Sequence, residues 1–306
     1  DFANTIFSMN VISLYFALWV TVDHGGRDIL YSSALSISML AVAVSVPFFG
    51  AISDTTGKRR GPLIALTLLC VFFTGLIGTT DHLWTGLILF MVANYGYQSA
   101  LVFYNGMLPS ISRGRHIGLI SGYGVALGYL GSILGMLMVK GYVESNGRSA
   151  AFLPTAGLLL FFSLPCFLFV NDPETGQTAT PVRLKETFNT LKQTFLRARQ
   201  YRSLFRFILI HFLVLDAVNT IIAFMSVYAS KVIGFSGGQI MKFLISSTVG
   251  AMIGSLVIGI LVKHKGVIWS YWLVLGAWIV SLFLAAISQS ETLFWVVGPI
   301  AGIGMG

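Results

Sequence analysis

Asp216 stands near the middle of an apolar run from about Phe205 to Lys231, with His211, Asn219 and Thr220 around it. A run of about 20 apolar residues is long enough to cross a bilayer, and an ionised group at its centre is costly, so such a carboxylate marks a functional site. Two chemistries suit it. Desolvation raises a carboxyl pKa, which equips Asp216 to take up a proton, and its charge equips it to hold the ammonium of a zwitterionic solute. Capping or pairing with a neighbouring helix is the structural alternative. On a helix Asp216, Asn219 and Thr220 share a face, whereas His211 falls about 140° round from Asp216. His211 is then either a separate proton relay or a satisfied interior histidine.

The pattern around Asp216 occurs twice. Asp1 to Ile6 reads D-x-x-N-T-I, with Asn4 in it, and Asp216 to Ile221 reads the same. Asp1, close to a span end, reads as a gate or interface residue. Gly50 to Gly57 and Gly259 to Gly266 form a second pair, each closing a helix with two glycines seven apart. The chain therefore reads as two related halves: residues 1–170 with six spans, a linker over 171–204, and residues 205–306.

The elements that hold these residues follow from composition. With 56% hydrophobic and 10% charged residues, the chain is too apolar for a soluble domain and reads as an all-α polytopic membrane protein. Apolar runs place spans near 1–22, 30–53, 61–79, 83–105, 117–139, 151–170, 205–230, 240–262 and 267–288, with a tenth starting at 293. The apolar run before Asp216 has no counterpart before Asp1, so further turns are expected ahead of Asp1, and the tenth span is expected to continue past Gly306. Alternate loops carry fourteen and five of the 19 Lys and Arg residues. The richer side, with Lys58, Arg59, Arg60, Lys263 and Lys265, is the expected cytoplasmic side. The net charge of +8 is thus an insertion signal, and the bilayer rather than nucleic acid is the expected partner. The linker repeats Leu184, Phe188, Leu191 and Phe195 at helical spacing among basic residues, an amphipathic helix on the membrane face.

No cofactor, metal or enzymatic activity is expected. The 5 histidines are scattered, the 2 cysteines sit in separate spans, and the glycines lie at helical spacing rather than in a phosphate-binding loop. In the fourth span Asn94, Tyr97, Gln98 and Asn105 make one polar stripe, which either lines a cavity or supplies interhelical hydrogen bonds. In the fifth, Gly118/Gly122, Gly124/Gly128 and Gly131/Gly135 are small-residue pairs four apart, as are Gly250/Gly254 in the eighth, and such pairs let helices approach closely.

The loop Gly50-Ala51-Ile52-Ser53-Asp54-Thr55-Thr56-Gly57-Lys58-Arg59-Arg60 resembles the G-x-x-x-D-x-x-G-R-(K/R)-x signature between the second and third helices of the major facilitator superfamily. In the second copy Lys263 replaces the aspartate. With D-F-A-N at the start, F-Y-N-G-M-L-P at 103–109, I-S-G-Y-G-V-A-L-G-Y at 120–129 and D-A-V-N-T at 216–220, the chain resembles the superfamily's vacuole-effluxer-like group. That group typically has Trp where Phe2 stands and Ala where Gly106 stands. The resemblance implies a twelve-helix facilitator of two six-helix bundles, in a bacterial inner membrane or a fungal vacuolar one. It makes the loop, through Gly50, Asp54, Gly57, Lys58 and Arg59, a gating element. It also makes Gly124, Gly128, Gly131, Gly250 and Gly254 a rocking interface between the fifth and eighth helices, unless they merely pack within one half. The expected function is export of a small polar solute by alternating access, with amino acids proposed for the fungal members and protons as a coupling ion. A non-transporting membrane scaffold and a carrier of amphiphiles such as lysolipids are the other readings.

Overall fold

The computed structural model describes residues 1–111, 117–170, 172, 201–287 and 291–305, and among these there are helices and no strand. Among the described residues nine helices are long and apolar enough to cross a membrane. They are α1 (Phe2–Asp23), α2 (Asp28–Thr56), α3 (Arg60–Ile77), α4 (Leu83–Ile111), α5 (Ile117–Asn146), α6 (Phe152–Phe169), α7 (Arg202–Tyr228), α8 (Gly237–Lys265) and α9 (Val267–Ile287). A shorter apolar helix, α10 (Glu291–Met305), follows. The amphipathic stretch of the linker lies outside the described residues.

Local chemistry explains the helix ends. Gly57 closes α2 at φ 63° and Gly266 closes α8 at φ 84°, backbone that L side chains rarely adopt, and each returns its N–H to the carbonyl four residues back at 3.0 Å. Both glycines of the repeated loop thus stop their helices in the same register. Ser236 and Gln239 form a reciprocal capping box at the start of α8. Helix α1 departs from sequence expectation: it widens into π turns over Ser8–Tyr15 and Trp19–Asp23, a distortion that concentrates at functional sites.

Packing sorts the helices into two groups. In the first, α4 lies against α2 and α3, α3 against α6, and α1 against α5 and α6. In the second, α10 lies against α8 and α9, so the arrangement of α4 on α2 and α3 recurs as α10 on α8 and α9. The groups meet along α5 with α8 and along α1 with α7. Lipid tails give no hydrophobic drive between helices, so close fit decides which faces pair. Gly86 of α4, for example, takes the ring of Trp19, which a Cβ there would meet at 2.5 Å.

Candidate functional site between the two helix groups

The site is built from α1 and α7, which touch over only part of their length. Residues 8–18 of α1 pack on α7, whereas its first turns pack on α5 and α6. The contact closes the side opposite the basic loops. There Phe16 stacks on Phe90 at 4.2 Å, and Tyr31 of α2 meets Phe224 of α7 at 5.4 Å. The Tyr31 hydroxyl donates to the Ile12 carbonyl at 2.8 Å, inside the widened stretch of α1. Tyr31, Phe16 and Phe90 are fully buried, which makes a dry aromatic seal. Outside it, Lys231 at the end of α7 donates to Asp28 at the start of α2 at 2.5 Å, an ion pair between the two groups.

Asp216 lies below this seal. Asp216, Thr220, Ala223, Phe224 and Val227 fall at i, i+4, i+7, i+8 and i+11, one stripe of α7. Phe224 meets Tyr31, and Ala223 and Val227 are buried in the same cluster. The stripe that seals against the first group at one end therefore carries Asp216 two turns further toward the basic side. Asp216, Asn219 and Thr220 are exposed, and among the described residues the Asp216 carboxylate has no hydrogen bond or ion pair. The Thr220 hydroxyl is occupied by the Asp216 carbonyl at 2.8 Å. His211 sits on the other side of α7. Its ring lies parallel to Phe207 at 5.7 Å and near Tyr271 of α9 at 6.0 Å, and its buried Nδ1 has no partner among the described residues. It does not join Asp216.

The polar stripe of α4 divides along its length. Asn94 is fully buried and donates to Ser38 of α2 at 2.7 Å, so it joins two helices rather than lining a cavity. Tyr97 rests on Phe7 of α1 at 4.7 Å. Gln98 is half-buried. Asn105 and Asn4 line a cavity of about 450 Å³ with Asp1, Tyr104, Thr67 and Ser121, bounded by α1, α3, α4, α5 and α6. That cavity lies within the first group, not between the groups.

The glycines correct an expectation. Helices α5 and α8 do meet, with Gly122 facing Ser255 at 3.9 Å for a built Cβ and Tyr129 donating to the Met305 carbonyl at 3.1 Å. Gly124, Gly128, Gly131, Gly135, Gly250 and Gly254, however, face inward within their own group. Gly124 and Gly128 receive Asp1, Gly131 receives Phe2, and Gly135 receives Ile6, all of α1; Gly250 receives Pro299 and Gly254 receives Ile303 of α10. Spacing identifies a close-packed face without identifying its partner, and a single helix can present a different face to each neighbour.

At the loop after α2, the Arg59 Nε donates to the Ser53 hydroxyl at 2.9 Å, and its guanidinium also reaches the Gly106 carbonyl of α4. Asp172, just past α6, accepts from the backbone nitrogens of Arg59 and Arg60 at 2.7 and 2.9 Å, capping α3. Four helices, α2, α3, α4 and α6, are tied there. Lys58 is exposed in the same turn, and Gly50 is an ordinary helical residue with open space at its Cβ position. The side chains of Asp54 and Lys263 lie outside the described residues. Sequence reasoning missed Asp172, Tyr31, Phe224 and the Asp28 to Lys231 pair. Only the lone Lys231 at a span end could have signalled the last.

Comparison with known proteins gives the family. The family model described as Major Facilitator Superfamily matches residues 2–306. The chain is 26% identical over 309 residues to an uncharacterized protein of Aquifex aeolicus, covering 100% of this chain and 75% of that one. It is 25% identical to the uncharacterized MFS-type transporter YxiO of Bacillus subtilis, over 86% of this chain and 66% of that protein. A third relative, the multidrug resistance protein MdtG of Proteus mirabilis, is 26% identical over 59% of this chain and 43% of its own length.

Proposed function

Given that the chain belongs to the major facilitator superfamily, and so to a family of membrane transporters, we propose that it carries a small polar solute outward by alternating access, with Asp216 as the residue that binds or titrates. One observation carries the reading: the unpartnered carboxylate of Asp216 lies on the sealing stripe of α7, on the open side of the aromatic seal. Taking the basic side as cytoplasmic, we read the seal on the opposite side as the mark of an inward-open form, the state that would load an exported solute. The name of the Proteus relative, a multidrug resistance protein, supports the export direction. Ser8, at the start of the α1 stretch that packs on α7, is the proposed polar counterpart on the opposite wall. A zwitterionic solute such as an amino acid would set its ammonium on Asp216, and a proton could take the same place on the return.

The test is Asp216→Asn in the full-length protein reconstituted in liposomes. Asn keeps the shape and hydrogen-bonding capacity but cannot titrate. If Asp216 couples protons, pH-driven accumulation is abolished while solute-for-solute exchange persists. If it holds the solute's cation, binding itself weakens by roughly 1.5 to 3 kcal/mol, the range of a charge-assisted hydrogen bond. Unchanged pH-driven transport and unchanged affinity in the variant would refute the assignment, and absence of any transport by the wild type would favour a scaffold.

A further inference from the structure

A second cavity, of about 380 Å³, opens on the side away from the basic loops, where α1, α5 and the start of α6 meet the first turn of α8. Its polar wall is formed by Tyr15, Lys140, Glu144, Arg148, Gly237 and Gly238, with Asp23 at the edge, and its apolar wall by Leu14, Leu18, Val143 and Met241. The volume is in the range that holds small molecules. Both helix groups contribute to it.

Three features select the ligand. First, the wall contains the N-terminus of α8, a 29-residue helix. The capping box occupies the nitrogens of Ser236 and Gln239, and Ile240 bonds the Ser236 carbonyl. The N–H groups of Gly237 and Gly238 are left without partners among the described residues, and nothing lies within 4 Å of the Cβ position of either. Free N–H groups at the positive end of a helix attract an anion. Second, Tyr15 on the cavity wall is 5% exposed, and among the described residues its buried hydroxyl has no hydrogen-bond partner. A buried hydroxyl without a partner on a cavity wall calls for one in a ligand. Third, the four ionic groups are unevenly engaged. Arg148 is tied to Asp23, whereas Lys140 meets Glu144 at only 3.6 Å and both remain largely exposed. Lys140 is thus the cation free to turn toward an anion, and Glu144 would then face any ammonium on the same molecule.

We propose that this cavity is a binding site, separate from the transport path at Asp216, for an amphiphile with a phosphate or carboxylate head. The head would sit on the Gly237 and Gly238 N–H groups with Lys140 and the Tyr15 hydroxyl, and the apolar body would lie on Leu14, Leu18, Val143 and Met241. The charged rim is at the span ends, the level of lipid headgroups. Because its walls come from both helix groups, the ligand binds the sealed form and holds it, by differential affinity for one of two states.

The test uses the full-length protein in uncharged detergent, with dodecyl phosphate, inorganic phosphate and dodecanol as probes and thermal unfolding as readout, since a ligand of the native state raises its melting temperature. Gly237→Pro removes one donor at the first helical position, where proline is accommodated, and Lys140→Gln removes the cation. Dodecyl phosphate is expected to stabilise the wild type, and each variant to raise its half-saturating concentration by about tenfold or more. Stabilisation by dodecyl phosphate well beyond inorganic phosphate supports a lipid-like source, and equal effects of the two support a free anion. Dodecanol matching dodecyl phosphate with no effect of phosphate overturns the proposal, as does wild-type half-saturation in both variants. If Gly237→Pro melts early without ligand, Lys140→Gln, whose side chain is exposed, decides alone.

Discussion

Gly254→Ala is expected to loosen the second helix group without touching the contact between groups. A Cβ built on Gly254 falls 2.7 Å from the Ile303 carbonyl oxygen and 2.8 Å from the Ile303 Cα. Both are backbone atoms of α10, so no rotamer change relieves them, and α8 and α10 must part by roughly 0.5 to 1 Å to restore ordinary van der Waals contact. Forcing one methyl into such a packed seam costs about 1–3 kcal/mol, a fall in apparent melting temperature on the order of 5 °C for a protein of this size. Gly122→Ala is the control, because its Cβ would meet nothing nearer than the Ser255 oxygen at 3.9 Å, across the α5 to α8 contact. The assay is intrinsic tryptophan fluorescence during heating of the full-length protein, followed by transport in liposomes normalised to folded protein. Gly254→Ala should melt early and transport normally per folded molecule. The opposite pattern, Gly254→Ala melting as wild type but transporting slowly, would return these glycines to the sliding interface and refute the packing argument.

Other consequences follow from the seal and the loop. Asp28→Lys places two cations together at the rim, and since a half-exposed pair contributes at most about 1 kcal/mol, the sealed form should lose up to roughly fivefold in population; Asp28→Lys with Lys231→Asp should restore it, read by labelling of a cysteine placed beneath Phe224. If labelling is unchanged in the single variant, the pair is not part of the gate. Gly57→Ala forces a side chain into φ 63°, so α2 should lose about 1 kcal/mol and the melting temperature should fall, whereas Gly50→Ala, helical and with open space at its Cβ position, should be neutral or stabilising. Equal melting of the two variants would remove the turn assignment.

What the sequence made legible was what lies within one helix. Apolar runs located the spans to within a few residues at most ends, the glycine at 57 marked a helix stop, and the 3.6-residue period put Asp216 and Thr220 on one face and His211 on another. Partners across helices were not legible. Asn94 and Asn105 share a face of α4, yet one is a buried joint to Ser38 and the other lines a cavity, because depth along the helix, not angular position, sets the neighbour. Tyr31 and Phe224 are aromatics among many in apolar runs, and nothing local distinguishes the pair that seals. The π turns of α1 left no signal either, since its residues are those of an ordinary apolar helix.

The placement of Asp216 relative to the seal constrains the transport cycle. From Asp216 to Phe224 is eight residues, about 12 Å along α7, so the carboxylate is clear of the aromatic layer, and on the proposed reading water reaches it while the basic side is open. In the proposed alternating access, closing that side would bring α1 and α7 together over their other ends and take this water away. An isolated carboxylate cannot follow, because the effective penalty for burying one ion is several kcal/mol, comparable to the whole difference between two transporter states of a few kcal/mol. The stretch of α1 that faces α7 begins at Ser8, which can hydrogen-bond but carries no charge. Closure with Asp216 ionised and alone is therefore disfavoured, and closure with a proton or a cationic group of the solute on it is allowed. One carboxylate placed just below the seal would in this way prevent the empty, ionised carrier from cycling, and Asp216→Asn should lift that restriction, giving a carrier that changes state without cargo.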